Sequence, residues 1–314
     1  MRILRLLAQN LRAVPDGEYR FGSGDTEPAR IVTVTGPGAS GKTFLLETIA
    51  AAKEVAAPYG GTPNGASFVR WGQGSAKAII EWWLDPQEMA FAGVSDPIQP
   101  CEVIFHRSKL PEADGDPGLL AVLQRYDHTP AIGKVDYFPV SRRFELDTLF
   151  GGSLPMEQKF LRLSRDPRKY RGILKHVRDI VLGRQDEAFE RLRNLFGALA
   201  PGHKFGGLDT VGIPEFILPD GEHAGFEALS SSAHQAFVFA GSICMTHLHN
   251  SVVLIDTPEL FLGGGEAARR MQVLLDASPS NQWIVATQDT GVIALAETRI
   301  ELPSRVPQPF EEAP

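Results

Sequence analysis

Hydrophobic residues fall along this chain in two patterns. Ile31 to Thr35, Ser251 to Glu259 and Asn281 to Asp289 carry near-continuous β-forming runs, which predict core strands. Further strands are predicted over Arg2 to Asn10, Glu18 to Gly22, Ser75 to Leu84, Cys101 to Ser108, Lys134 to Arg143 and Gly212 to Gly221. In the Trp82-Trp83 pair one ring must face inward and the other outward. Helical spacing marks Phe44 to Glu54, Leu119 to Tyr126, Glu266 to Ala277, and a long apolar stretch from Ala228 to Leu248 with a polar cap. Pro155 to Leu199 is the most helical region, but Pro167, Gly172 and Gly183 divide it into short helices. The Gly/Pro/Ala-rich stretch from Ala51 to about Gly74 and the segment from Pro111 to Gly118 read as loops.

Between the first core strand and its helix lies Gly36-Pro37-Gly38-Ala39-Ser40-Gly41-Lys42-Thr43, a full match to G-x-x-x-x-G-K-[ST]. The strand, glycine-rich turn and helix around it are the context in which this pattern forms a phosphate site. Backbone N–H groups of the turn and of the helix start can face a polyphosphate. Lys42 would reach the β- and γ-phosphates, and the Thr43 hydroxyl would sit on Mg²⁺. Asp256 ends an apolar strand, where a second Mg²⁺ ligand belongs. The expected ligand is therefore a nucleoside triphosphate, ATP with Mg²⁺.

Composition narrows the setting. Hydrophobic residues at 43% and charged residues at 22% are ordinary for a globular protein, and a net charge of −7 argues against general DNA coating. Cys101 and Cys244 are far apart and read as incidental thiols in a reducing compartment. No run approaches the length needed to span a membrane, and the charged N-terminal stretch does not read as a secretory signal. A cytoplasmic location is expected. The histidines show no metal-site spacing; His247 and His249 would point to different faces of a helix.

Five ordered segments resemble the ABC-type ATPase heads of the SMC, RecF and OLD group. Ile255-Asp256-Thr257-Pro258-Glu259-Leu260-Phe261-Leu262 is similar to their I-D-E-P-E-x-x-L segment. The opening NLRAVPDGEYRFG resembles the stretch that precedes their phosphate loop. DYFPVSRR lies where the group has an arginine-bearing segment near its Q-loop, ALSSSAHQAF resembles the L-S-S-G-E-x-Q signature, and WIVATQD resembles the switch-histidine strand. The resemblance covers about residues 1–50 and 215–300. It implies an α/β P-loop NTPase of ABC-ATPase-head type, with a mixed central sheet, an antiparallel β subdomain and a short helical lobe. The chain would form one head: an N-terminal lobe over 1–150, a helical lobe over 151–205, a C-terminal lobe over 206–302 and a tail over 303–314.

The same resemblance implies a homodimer in which each ATP lies between one phosphate loop and the partner's signature. Ser230 would cap a helix and face the γ-phosphate in trans. Arg142, with Arg143, would sense nucleotide or touch the partner head. Three departures bear on catalysis. Thr257 stands where the group has its general base, Gln288 where it has the switch histidine, and Ser232 where the signature has glycine. A threonine hydroxyl cannot accept a proton from water near neutral pH. Glu259 is retained two residues on, and Gln288 could orient water. Strong ATP binding with slow or partner-dependent hydrolysis is therefore expected, in a DNA-linked or defence-type assembly. A non-hydrolysing nucleotide-sensing scaffold is the second reading, and a transporter subunit a weaker third.

Residues 157–193 carry eleven Lys/Arg against six Asp/Glu. That run reads either as a solvated helical face or as a surface for nucleic acid or a protein partner.

Overall fold

A computed structural model describes residues 1–24, 26–126, 133–144 and 159–304. His128, the start of the expected helical lobe at 151–158 and the tail from 305 onward lie outside the described residues.

The N-terminal half builds an antiparallel sheet from β1 (Arg2–Gln9), β2 (Gly17–Arg20), β4 (Ser75–Trp83), β5 (Ile98–His106) and β6 (Glu112–Gly115), in the order β2-β1-β4-β5-β6. A second sheet holds β3 (Ile31–Thr35), β7 (Val135–Phe138), β11 (Val252–Asp256), β12 (Gln282–Ala286) and β13 (Thr298–Glu301). Its order is β13-β3-β12-β11-β7 and all its pairings are parallel. Every residue of β3, β11 and β12 is buried, as the unbroken apolar runs require.

Strand alternation divides these side chains between two cores. Val32, Val34, Val252, Leu254, Ile284 and Ala286 face the antiparallel sheet and α1 (Lys42–Ala56). Ile31, Val253, Ile255, Trp283 and Val285 face a helical layer. That layer comprises α4 (Arg171–Leu182), α5 (Asp186–Leu199), α6 (Ser231–Thr246) and α7 (Glu266–Ala277). The amphipathic α4 and α5 bury Ile173, Leu174, Val177, Leu192 and Phe196 there. The interior helix α6 is buried along most of its length. A small sheet of β8 (Lys204–Leu208), β9 (Pro214–Ile217) and β10 (His223–Ala224) closes that side. There the rings of Phe216 and Phe237 meet edge to face at 5.0 Å.

One polar side chain joins the two large sheets. Gln282, buried at the start of β12, accepts from Ile3 N–H at 2.7 Å and donates to the carbonyls of Ile3 at 2.9 Å and Ala29 at 3.0 Å. A glutamine is tolerated inside an apolar layer because these bonds satisfy its amide.

Several elements escape a reading by pattern alone. Helix α1 continues to Ala56, beyond the Glu54 expected from its apolar spacing. The helix α2 (Pro86–Ala92) is set by a capping box between Asp85 and Glu88 rather than by apolar spacing. Strand β6 arises inside the stretch read as a loop, because β5 offers it an edge to pair with. The helix expected over Leu119 to Tyr126 forms as α3 (Pro117–Gln124), its start moved forward by an Asp116 cap. The short α8 (Thr290–Ile293) and β13 lie where no element is expected. Trp82 is buried, whereas Trp83 is half-buried under Arg2, whose guanidinium is 5.8 Å from the ring.

Candidate functional site

Parallel pairing brings the C-terminal ends of β3, β11, β12 and β7 to one edge of the sheet, where α/β proteins gather their ligand sites. The turn leaving β3 is sterically confined. Gly36 has φ +139°, and a Cβ there would lie 2.5 Å from the Leu302 carbonyl oxygen. Gly41 has φ +104°, and its Cβ would fall 1.8 Å from the Ala13 carbonyl oxygen. Neither position accepts a side chain. The turn is thereby pressed against the loop between β1 and β2 on one side and the residue after β13 on the other. Ala39 adopts a left-handed φ of 60°, and the buried Ser40 hydroxyl has no hydrogen-bond partner.

Helix α1 opens at Lys42 with no side-chain cap and no acid in its first turn, so its N-terminal amides and dipole remain available to an anion. Lys42 Nζ donates to the carbonyls of Gly36 at 2.8 Å and Pro37 at 2.9 Å. Partial burial lowers its pKa.

Asp256 ends β11 beside this helix start. Its Oδ1 accepts from the Thr257 hydroxyl at 3.1 Å, while its buried Oδ2 has no hydrogen-bond partner. Burial raises its pKa, and the Thr43 and Thr257 hydroxyls oppose that rise. A buried carboxylate oxygen next to a threonine hydroxyl and a helix N-terminus is a donor set that fits Mg²⁺. Thr43 and Asp256 are the residues that would hold it.

Thr257 follows in the left-handed region with φ 52°, an uncommon conformation for a β-branched residue. Its side chain is polar but uncharged, and its hydroxyl hydrogen is directed at Asp256 Oδ1. Glu259 reaches the end of β12 instead. Its Oε2 accepts from Thr287 Oγ1 at 2.8 Å and its Oε1 from Gln288 N–H at 2.9 Å. The exposed Gln288 in turn points Nε2 at the Gly36 carbonyl, 3.4 Å away. Glu259, Thr287, Gln288 and the phosphate turn are therefore neighbours.

Arg142 is placed differently from its expected role. It is 2% exposed, and its guanidinium donates to the carbonyls of Pro139, Asp256 and Thr257 and to Gln235 Oε1. With both terminal nitrogens engaged by protein acceptors, and only the buried Nε without a partner, it supports the site from behind. Arg143 is exposed. Ser230 does cap α6, accepting from Ala233 N–H at 3.3 Å, and it is exposed. The structure brings Gly36 to Thr43, Asp256, Thr257, Glu259 and Gln288 together, and leaves Ser230 on a separate helix start.

Glu47 was not legible as a site residue. It lies one helical turn after Thr43, takes an ion pair from Arg165, and accepts from the Tyr137 hydroxyl at 3.4 Å. Its i+4 spacing from Thr43 on α1 was the available signal.

Two cations of the basic stretch, Arg162 and Lys169, are taken into the interior, and four more are ion-paired with solvent-accessible side chains. Arg162 pairs with Asp136 at 2.7 Å in the interior, and the buried Lys169 donates to the carbonyls of Arg162 and Ser164 at 3.1 and 3.0 Å. Arg165, Arg168, Lys175 and Arg193 are paired with Glu47, Asp166, Asp179 and Glu190.

This sheet order, phosphate turn and strand-end aspartate define a P-loop fold of the ABC-ATPase-head type. More narrowly, the fold is that of SMC head domains. An SmcHead bound to the C-winged helix domain of ScpA superposes with a TM-score of 0.63 at 14% identity, covering 96% of this chain and 94% of that one. The Pyrococcus furiosus Smc head with an extended coiled coil, bound to the C-terminal domain of ScpA, gives 0.60 at 13% identity over 95% and 92%. The SMC head domain from Thermotoga maritima gives 0.54 at 15% identity over 96% and 94%. No family model matches the chain, and no curated protein matches it in sequence. No helix among the described residues is long and apolar enough to cross a membrane.

Proposed function

We propose that this protein binds ATP with Mg²⁺ through Gly36 to Thr43 and Asp256, and that it holds the nucleotide better than it cleaves it. The observation that carries the reading is the unpartnered Asp256 Oδ2 beside an uncapped helix start that follows the phosphate turn. In this reading Lys42 leaves the carbonyls of Gly36 and Pro37 for the phosphates. Bound Mg²⁺ would neutralise phosphate charge between Thr43 and Asp256. Water activation is the weak step: Thr257 offers no base, and both oxygens of Glu259 already accept hydrogen bonds from Thr287 and Gln288. Gln288 is left to orient a water or contact the γ-phosphate.

We further propose that ATP closes a head-to-tail homodimer, with Ser230 at the start of α6 facing the γ-phosphate of the partner's nucleotide. A protein partner is part of this proposal, in keeping with the ScpA fragments on two of the similar heads. The assembly served is DNA-linked or defence-type, and the protein acts in the cytoplasm. Docking of nucleic acid on residues 157–193 is a secondary element, because so many of those cations are paired or buried; salt-dependent retention on DNA tests it. The competing reading, a scaffold whose ATP is never hydrolysed, is favoured by the same occupied Glu259.

Size-exclusion chromatography with and without ATP and Mg²⁺, run beside a phosphate-release assay, tests these readings. Tight binding, an ATP-dependent dimer and slow turnover are expected. Turnover of several ATP per second by the isolated chain would overturn the slow-hydrolysis proposal.

A further inference from the structure

Arg142 gathers three elements on one guanidinium. Nη1 reaches the carbonyls of Pro139, just after β7, at 2.9 Å and of Asp256 at the end of β11. Nη2 reaches the Thr257 carbonyl at 2.8 Å and Gln235 Oε1 on α6 at 3.1 Å. The carbonyls of Asp256 and Thr257 flank the left-handed Thr257, so the rigid fork of the arginine fixes the direction in which this turn leaves the strand. A strained backbone persists where its surroundings over-determine it. Gln235 is 1% exposed, and its Nε2 lacks a partner while its Oε1 serves the arginine. Since an arginine can only donate, that orientation of the amide is required. The unpaired Nε2 makes this glutamine costly as packing, yet it supplies the acceptor the guanidinium needs.

We propose that Arg142 and Gln235 form a positioning link that makes the turn after Asp256 and the opening turns of α6 one mechanical unit. The link rests on the nucleotide reading only for its purpose, which is to pass occupancy of the phosphate site to the Ser230 end of α6. Its existence does not require nucleotide. Displacement of Asp256 would pull on Gln235 through Arg142, and a shift of α6 would move the Thr257 carbonyl.

Hydrogen exchange on the full chain without nucleotide tests the link. The reporters are the Thr257 amide, bonded to the Ala286 carbonyl, and the Leu260 amide, bonded to the Thr257 carbonyl. Gln235→Met keeps the volume but removes the acceptor, and should speed exchange at both amides by at least about threefold. Gln235→Glu again offers an acceptor and should return both to the wild-type rate. Arg142→Lys cannot span all four acceptors and should speed the same amides; if Gln235→Met fails to fold, this variant decides. Faster exchange confined to α6, unchanged exchange, or equal acceleration in the Met and Glu variants would overturn the link. Protection of the amides of residues 36–43 by ATP and Mg²⁺, measured separately, scores nucleotide binding, so failure of either proposal is seen apart from the other.

Discussion

Thr257 concentrates two effects in one residue. It removes a carboxylate from the position beside Asp256, and it places a β-branched side chain at φ 52°. Thr257→Glu should relieve some of that backbone strain and supply a base. If Thr257 limits chemistry, turnover should rise on the order of tenfold or more in a phosphate-release assay. An unchanged rate would remove Thr257 from the explanation of slow hydrolysis. Lys42 plays the opposite part, because its ammonium rests on the turn's own carbonyls and is free to exchange them for phosphate oxygens. Lys42→Ala should weaken ATP binding by at least about tenfold, or some 1.4 kcal/mol, by calorimetry while leaving the melting temperature nearly unchanged. Glu259→Gln is a subtler probe. It keeps one oxygen for Thr287 or Gln288 but not both, and should loosen Gln288 without abolishing binding; a fall in turnover with unchanged affinity is the expected split.

At the scale of elements, the start of α6 is where dimerisation is tested. Its serine cap is exposed and the helix behind it is rigidly buried, so a bulky cation there disturbs an interface more than the fold. Ser230→Arg should abolish the ATP-dependent shift in chromatography while the phosphate loop still binds nucleotide. An unchanged dimer would refute the trans role. The elements that the sequence disclosed were those with a strong local signal: the runs of β3, β11 and β12, the turn at Gly36 to Thr43, and the cap at Ser230. Those it hid carry little apolar periodicity of their own. Strand β6 exists because its neighbour in the chain, β5, presents an edge, and α2 because Asp85 and Glu88 close on each other in a local capping box. Arg142 marks a different limit. Its place in DYFPVSRR pointed toward nucleotide, but side-chain direction is set by tertiary packing, which aims it at Asp256, Thr257 and Gln235 instead. The charge of residues 157–193 was only partly legible: the pairs of Arg168, Lys175 and Arg193 lie within the stretch itself, whereas those of Arg162 with Asp136 and Arg165 with Glu47 cross the fold and cannot be read from a count.

For the molecule as a whole, buried lysines predict how stability responds to pH. Burial pulls the ammonium of Lys53, set 2.7 Å over the Tyr59 ring, down to about 7, and that of Lys169 also to about 7. In the unfolded chain both remain protonated to the ordinary lysine range. Between those limits the unfolded state binds more protons, so these groups make stability rise with pH, by up to about 1.4 kcal/mol per unit each. Below pH 7 both states are charged and the contribution is flat. The melting temperature should climb by roughly 2 °C or more from about pH 7 to about pH 8.5, short of the range in which unfolded thiols ionise. A flat or falling profile would show that these ammonium groups keep their charge inside.

Gln282 adds a constraint of timing. Its amide bonds span separations of 279 and 253 residues, to Ile3 and Ala29. An antiparallel sheet made early in synthesis therefore has no partner for the main-chain groups of Ile3 until β12 has emerged from the ribosome. Native topology with such distant contacts is slow to close. The nascent N-terminal half must wait with that face uncovered, so a chain cut short before β12 should be a substrate for chaperones rather than an independently folded lobe.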